Sequence, residues 1–174
     1  MKKQIYDFKV IAGVILLAIL ITQSCDRLGE EPDYIGTWQY KEKIYLGEVA
    51  VNITHTLKLT DGYFEEVIIY RRDNTSAVMT LSGLRGSISV SNDELNFTLT
   101  AVGECLKDAV NNCTATVEWF PKGSQTYNDY LTIGMSESFS GTFEADEYYL
   151  WLVRDMNKDT DTDDNWEDIE FERQ

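Results

Sequence analysis

Residues 49–71 read VAVNITHTLKLTDGYFEEVIIYR, and they decide the fold class. Val49, Val51, Ile53, His55, Leu57 and Leu59 fall on one face of an extended chain; Ala50, Asn52, Thr54, Thr56 and Lys58 fall on the other. Period two with one apolar side is the pattern of a half-buried antiparallel strand. Asp61-Gly62 supplies a strong two-residue hairpin signal, and residues 63–71, rich in aromatic and β-branched side chains, read as the returning strand. With a strict two-residue turn, Leu57 pairs with Glu66 and His55 with Ile68. His55 and Glu66 are then diagonal neighbours on the inward face. A shift of one residue would instead bring Tyr63, Glu65, Val67 and Ile69 inside. Either register turns a glutamate inward, which favours a partly wet interior.

The same pattern recurs along the chain. Ile88 and Val90 alternate with serines, Asn92-Asp93 makes a turn, and Leu95, Phe97 and Leu99 alternate with Asn96, Thr98 and Thr100. A two-residue loop there pairs Val90 with Leu95 and Ile88 with Phe97, so both apolar sets share a face. Further strands are expected over residues 37–45, 114–120, 127–135, 148–154 and 167–173. No long segment has a helical apolar period, and no internal repeat is present. Eight or nine short strands joined by hairpins predict an all-β fold, an antiparallel up-and-down β-barrel, with a β-sandwich as the alternative.

The first residues read differently. Lys2 and Lys3 precede an uncharged, mostly apolar run over residues 10–21, the length of a signal-peptide core and too short to span a bilayer as a helix. Thr22, Gln23, Ser24 and Cys25 follow. A small residue directly before a Cys at this place resembles the bacterial lipobox, although Thr22 stands where Leu is usual. The resemblance implies a signal peptide over 1–24, a lipid-modified Cys25 opening a polar tether over 25–34, and a barrel domain over 35–174. Such a Cys anchors the chain to a membrane without any membrane-binding surface of the domain itself. The acidic Asp26, Glu30, Glu31 and Asp33 resemble the surface-export signal of Bacteroidota lipoproteins, which implies an outer-membrane location with the domain facing outward.

Charge narrows the partners. The 174 residues hold 30 acids and 15 bases; beyond residue 24 there are 29 acids and 12 bases, a net charge near −17. That excludes nucleic acid, which needs a basic footprint, and electrostatic docking on anionic lipid. Cys105 and Cys113 flank a polar stretch, and in an exported protein they are expected to form a disulfide. With one histidine in the chain, no zinc-type cluster is expected.

Ile35-Gly36-Thr37-Trp38 opens the first strand. A Gly-X-Trp at that position, ahead of meandering strands, resembles the start of a lipocalin-like barrel, and the loose group of bacterial lipocalin-like lipoproteins is the closer comparison. The resemblance implies that Trp38 plugs the closed end beneath an Arg from the last strand. Arg173 is the candidate, with Arg154 as second choice.

The candidate ligand contacts are His55, Glu66, Tyr70, Trp119 and Trp151: a histidine and a glutamate on an inward face, and aromatics able to line a cavity. The competing reading of each is structural, a hydrogen-bonded core histidine and core-filling aromatics. Asp159, Asp161, Asp163 and Glu170 stand at positions 1, 3, 5 and 12 of a calcium-loop-like segment, but Asp164 occupies the place of the turn glycine and the flanks read as strands, so a solvated acidic loop is expected. No nucleophile elbow, phosphate loop or Cys–His pair is present, so neither catalysis nor a cofactor is expected. Two functions remain open. One is a barrel holding a small, partly apolar molecule. The other is a packed barrel whose acidic surface meets another envelope protein.

Overall fold

The fold comes from a computed structural model that describes residues 32–91, 94–158 and 167–174. The described residues form nine strands and one helix: β1 Gly36–Leu46, β2 Val49–Thr60, β3 Tyr63–Arg72, β4 Val78–Ser91, β5 Glu94–Lys107, β6 Cys113–Pro121, α1 Gln125–Thr132, β7 Ser138–Ala145, β8 Tyr149–Arg154 and β9 Asp168–Arg173. All neighbours pair antiparallel, and the order β1-β2-β3-β4-β5-β7-β8-β9 closes back on β1, giving an eight-stranded barrel. The barrel, not the sandwich, is the architecture.

The registers follow the side-chain pattern. His55 pairs with Ile68 and Leu57 with Glu66, as the strict Asp61-Gly62 turn requires, and Gly62 takes the left-handed conformation that the turn demands (φ +76°). Ile88 pairs with Phe97 and Val90 with Leu95. The Asn92-Asp93 turn itself lies outside the described residues.

β6 stands outside the ring. β5 is long, and its edge away from β4 is shared: β7 pairs with Glu94–Thr98, whereas β6 pairs with the stretch from Ala101 to Lys107. Between the two, the β4–β5 register shifts at Arg85/Gly86, a bulge that bends β5. A Cβ on Gly86 would lie 1.9 Å from the Thr98 carbonyl oxygen, so only glycine allows this crossing.

Residues 127–135, expected as a strand, instead contain most of α1. Ser124 caps the helix by accepting from the Tyr127 amide at 3.2 Å. Tyr127, Tyr130 and Leu131 share one face at helical spacing. The Tyr127 hydroxyl donates to the Leu99 carbonyl at 3.2 Å, and Tyr130 donates to the Gly103 carbonyl at 3.4 Å. The helix thus rests on the part of β5 that β7 has left. β7 itself escaped notice because Gly141 interrupts its apolar side, Phe139, Gly141, Phe143 and Ala145.

The core runs from Trp38, Leu57, Leu59 and Phe64 near the start of β1 to Leu84, Val102 and Tyr127. Cys105 and Cys113 are disulfide-bonded; a cross-link over so short a loop contributes about 2–3 kcal/mol. Within that loop Asp108 accepts from the Val110 and Asn112 amides at 2.9 and 2.8 Å.

Candidate functional site

Near the start of β1, Trp38 is fully buried and its indole N–H donates to the Tyr34 carbonyl at 2.8 Å. Arg173 is its cross-strand partner and places its guanidinium 5.1 Å from the Trp38 ring, while also donating to the Ile35 carbonyl at 2.6 Å. A Cβ on Gly36 would come within 3.3 Å of that guanidinium, a close contact that a small shift of the exposed Arg173 side chain would relieve. Gly36, Trp38 and Arg173 therefore meet. Arg154, the second choice for this place, does something else.

Arg154 follows Leu150 and Leu152 on the inward side of β8. Counting round the ring, β3 and β8 are four strands apart in either direction. Arg154 spans that diameter and makes two bonds to Glu66 of β3, Nη1 to Oε2 at 2.7 Å and Nη2 to Oε1 at 2.8 Å. His55 of β2 contacts Glu66 Oε1 through Nε2. Its ring meets Phe171 edge-on, with centroids 4.8 Å apart. All three charged or titratable side chains are at most 2% exposed. A fourth buried polar residue, Glu167, accepts from the Met156 amide at 2.6 Å and steadies the chain just past Arg154.

Burial alone would raise the pKa of Glu66. The Arg154 and His55 charges and their hydrogen bonds outweigh it and hold the carboxyl well below the ordinary carboxylate range. Glu66 is thus an anion fixed at mid-barrel.

Arg154 crosses the barrel only because Gly141 stands opposite it on β7. A Cβ there would lie 2.6 Å from the Val153 carbonyl oxygen and 2.7 Å from Arg154 Cγ. Gly141→Ala is expected to cost about 1–3 kcal/mol by overpacking, read as a lower urea midpoint at unchanged slope. A loss under about 0.5 kcal/mol would show that the Arg154 stem is not confined there.

On the side of Glu66 towards Ile68 and Tyr70, the carboxylate forms the polar edge of a cavity of about 130 Å³. Ile68, Tyr70, Ser82, Gly83 and Leu84 form its β3–β4 wall, and Tyr130, Met135 and Met156 close it. Two of the five predicted contacts, Glu66 and Tyr70, line this cavity. His55 touches Glu66 from below and does not line it. Trp119 and Trp151 do not line it either. Trp119 belongs to the strand outside the ring and lies across Gly83 and Gly103, with Arg85 4.5 Å from its ring; its neighbour Phe120 packs against the core instead. Trp151 alternates with the buried Leu150 and Leu152, so pleating turns it outward, 46% exposed.

Sequence reasoning missed Arg154 as the partner of Glu66, together with Met135 and Met156. The parity of Arg154 with Leu150 and Leu152 was the available signal. Among the described residues no group of three or more metal-ligand side chains occurs. Asp159, Asp161 and Asp163 lie outside the described residues, as does Cys25, and Glu170 is exposed on β9. No protein-family model and no curated protein matches the chain.

Proposed function

We propose that this protein is a lipid-anchored lipoprotein of the bacterial envelope, displayed at the outer membrane, whose lipocalin-like barrel holds one small, partly apolar molecule. The cavity above Glu66 carries this reading. Its volume, about 130 Å³, is below the roughly 300–1,000 Å³ of sites for drug-sized ligands and close to the ~150 Å³ of a cavity that takes a single aromatic ring. Glu66 sets the polar requirement. A carboxylate offers about four lone-pair sites; Arg154 and His55 occupy three. The remaining one suits a hydroxyl or amine on a ring-sized ligand, and the two methionines adapt to its shape.

The run over 10–21, the small residue before Cys25 and the polar tether support the anchor.

Two measurements test the reading. With 13C-methyl-labelled methionines, p-cresol is expected to shift the Met135 and Met156 methyl signals with a dissociation constant of about 1 mM or tighter. Toluene is expected to bind more weakly, and Leu84→Trp to abolish both responses. Silent methyls at saturating p-cresol would remove the ligand-binding reading. Protein taken from its own envelope is expected to begin at a lipidated Cys25 and to be released by Cys25→Ser; an unmodified N-terminus at another residue would remove the anchor.

A further inference from the structure

The outward side of β8 carries two large aromatic rings in line, Tyr149 and Trp151, each 46% exposed. Residues two apart on a strand share a face, so the rings form one strip along the barrel wall. Trp151 lies directly between two cross-strand glutamates, Glu144 of β7 and Glu170 of β9; Tyr149 pairs with Glu172. The Trp151 indole N–H donates to Asp168 Oδ1 at 2.5 Å, which fixes the ring on the sheet. Beside the strip lies a cleft of about 380 Å³ bordered by Glu144, Asp146, Tyr149, Trp151 and Glu170.

No lysine or arginine among the described residues forms an ion pair with Glu144, Glu170 or Glu172; the ion pairs present are Lys43–Asp73, Lys122–Glu137 and those to Glu66. Directly opposed residues have Cβ atoms about 5 Å apart. A cation over the Trp151 ring would therefore gain the ring quadrupole and a carboxylate on each side. Exposed Trp and Tyr are also the side chains that anchor protein interfaces.

We infer that the outer face of β7–β9, centred on Trp151 and Tyr149, docks a lysine- or arginine-rich segment of another protein. Charge selects this occupant: a neutral glycan could stack on the rings but would leave three glutamates without a counter-charge. The inference makes no use of the cavity above Glu66 and stands apart from the ligand reading.

Fluorescence anisotropy of labelled hexa-arginine with the mature protein tests it. Trp151→Ala, and separately Glu144→Gln/Glu170→Gln, are expected to weaken binding about tenfold or more. Glu104→Gln/Glu118→Gln removes the same charge from a cross-strand pair on β5–β6 and is expected to change binding less than about twofold. Equal losses from the two glutamate pairs would mean attraction to net charge alone and would overturn the inference. So would an unchanged affinity in Trp151→Ala, an absence of peptide binding, or tighter binding of a neutral glucose hexamer at Trp151.

Discussion

Arg154→Met is expected to destabilise the barrel by about 3–5 kcal/mol at pH 7, because it leaves the Glu66 carboxylate buried without its principal counter-charge. Both partners are at most 2% exposed, so solvent cannot replace the lost bonds. For a domain of this size that corresponds to roughly 10–20 °C in Tm. Glu66→Leu/Arg154→Met is expected to recover most of the loss, since apolar side chains of similar volume replace a buried ion pair at little net cost. The pH dependence gives an internal control. In the wild type the folded pKa of Glu66 lies below its ordinary value, so the stabilisation from this group is complete above the usual carboxylate pKa, about 4.3, and is lost as pH falls below it. Arg154→Met removes the largest of the contributions that lower this pKa, so Glu66 takes up a proton at higher pH than in the wild type and acid relieves the strain. The difference between wild type and Arg154→Met should therefore shrink from pH 7 to pH 4. Urea unfolding at the two pH values reads it directly. An equal difference at both would mean that packing, not charge, is what Arg154 contributes.

Trp38→Ala is expected to cost about 3–5 kcal/mol, whereas Arg173→Ala should cost only about 0.5–1 kcal/mol. The two residues touch, but they do different things. Trp38 is fully buried in the core cluster, so its removal opens a large cavity. Arg173 is exposed and covers the ring from outside. The site matters because β1 and β9 close the ring through two register pairs, Trp38 with Arg173 and Gln39 with Glu172, and an added bond from the Gln174 amide to the Thr37 carbonyl. The seam is short, and Trp38 packs behind it. Hydrogen exchange in Trp38→Ala should accelerate first at β1 and β9. A loss below about 1.5 kcal/mol would show that the seam holds without the plug.

Much of this was readable in advance where the signal is local. The pairing of His55 with Ile68 and of Leu57 with Glu66 follows from the Asp61-Gly62 turn and a period of two, both confined to about twenty residues. The contact of Trp38 with Arg173 was reachable through resemblance. The errors have equally local causes. Tyr127, Tyr130 and Leu131 fit a strand by residue type and a helix by spacing, and the Ser124 cap decides for the helix. Gly141 looks like a break in a strand until the Arg154 stem is seen to fill its space.

Sequence by itself determined the all-β class, the register of the Asn92-Asp93 hairpin, the inward His55 with one glutamate of the next strand turned inside, the cysteine pair and the acidic balance, because each depends on alternation, turn chemistry or counting along a short stretch; that the glutamate is Glu66 and not Glu65 came from the observed register. Tertiary structure alone decided that β6 leaves the ring and takes Trp119 with it, and that Arg154 meets Glu66 across the barrel. These depend on the order in which distant strands close. Ring closure sets residues 66 and 154, separated by 88 positions, within bonding distance; local parity turns each of them inward, but their meeting depends on which strands lie opposite.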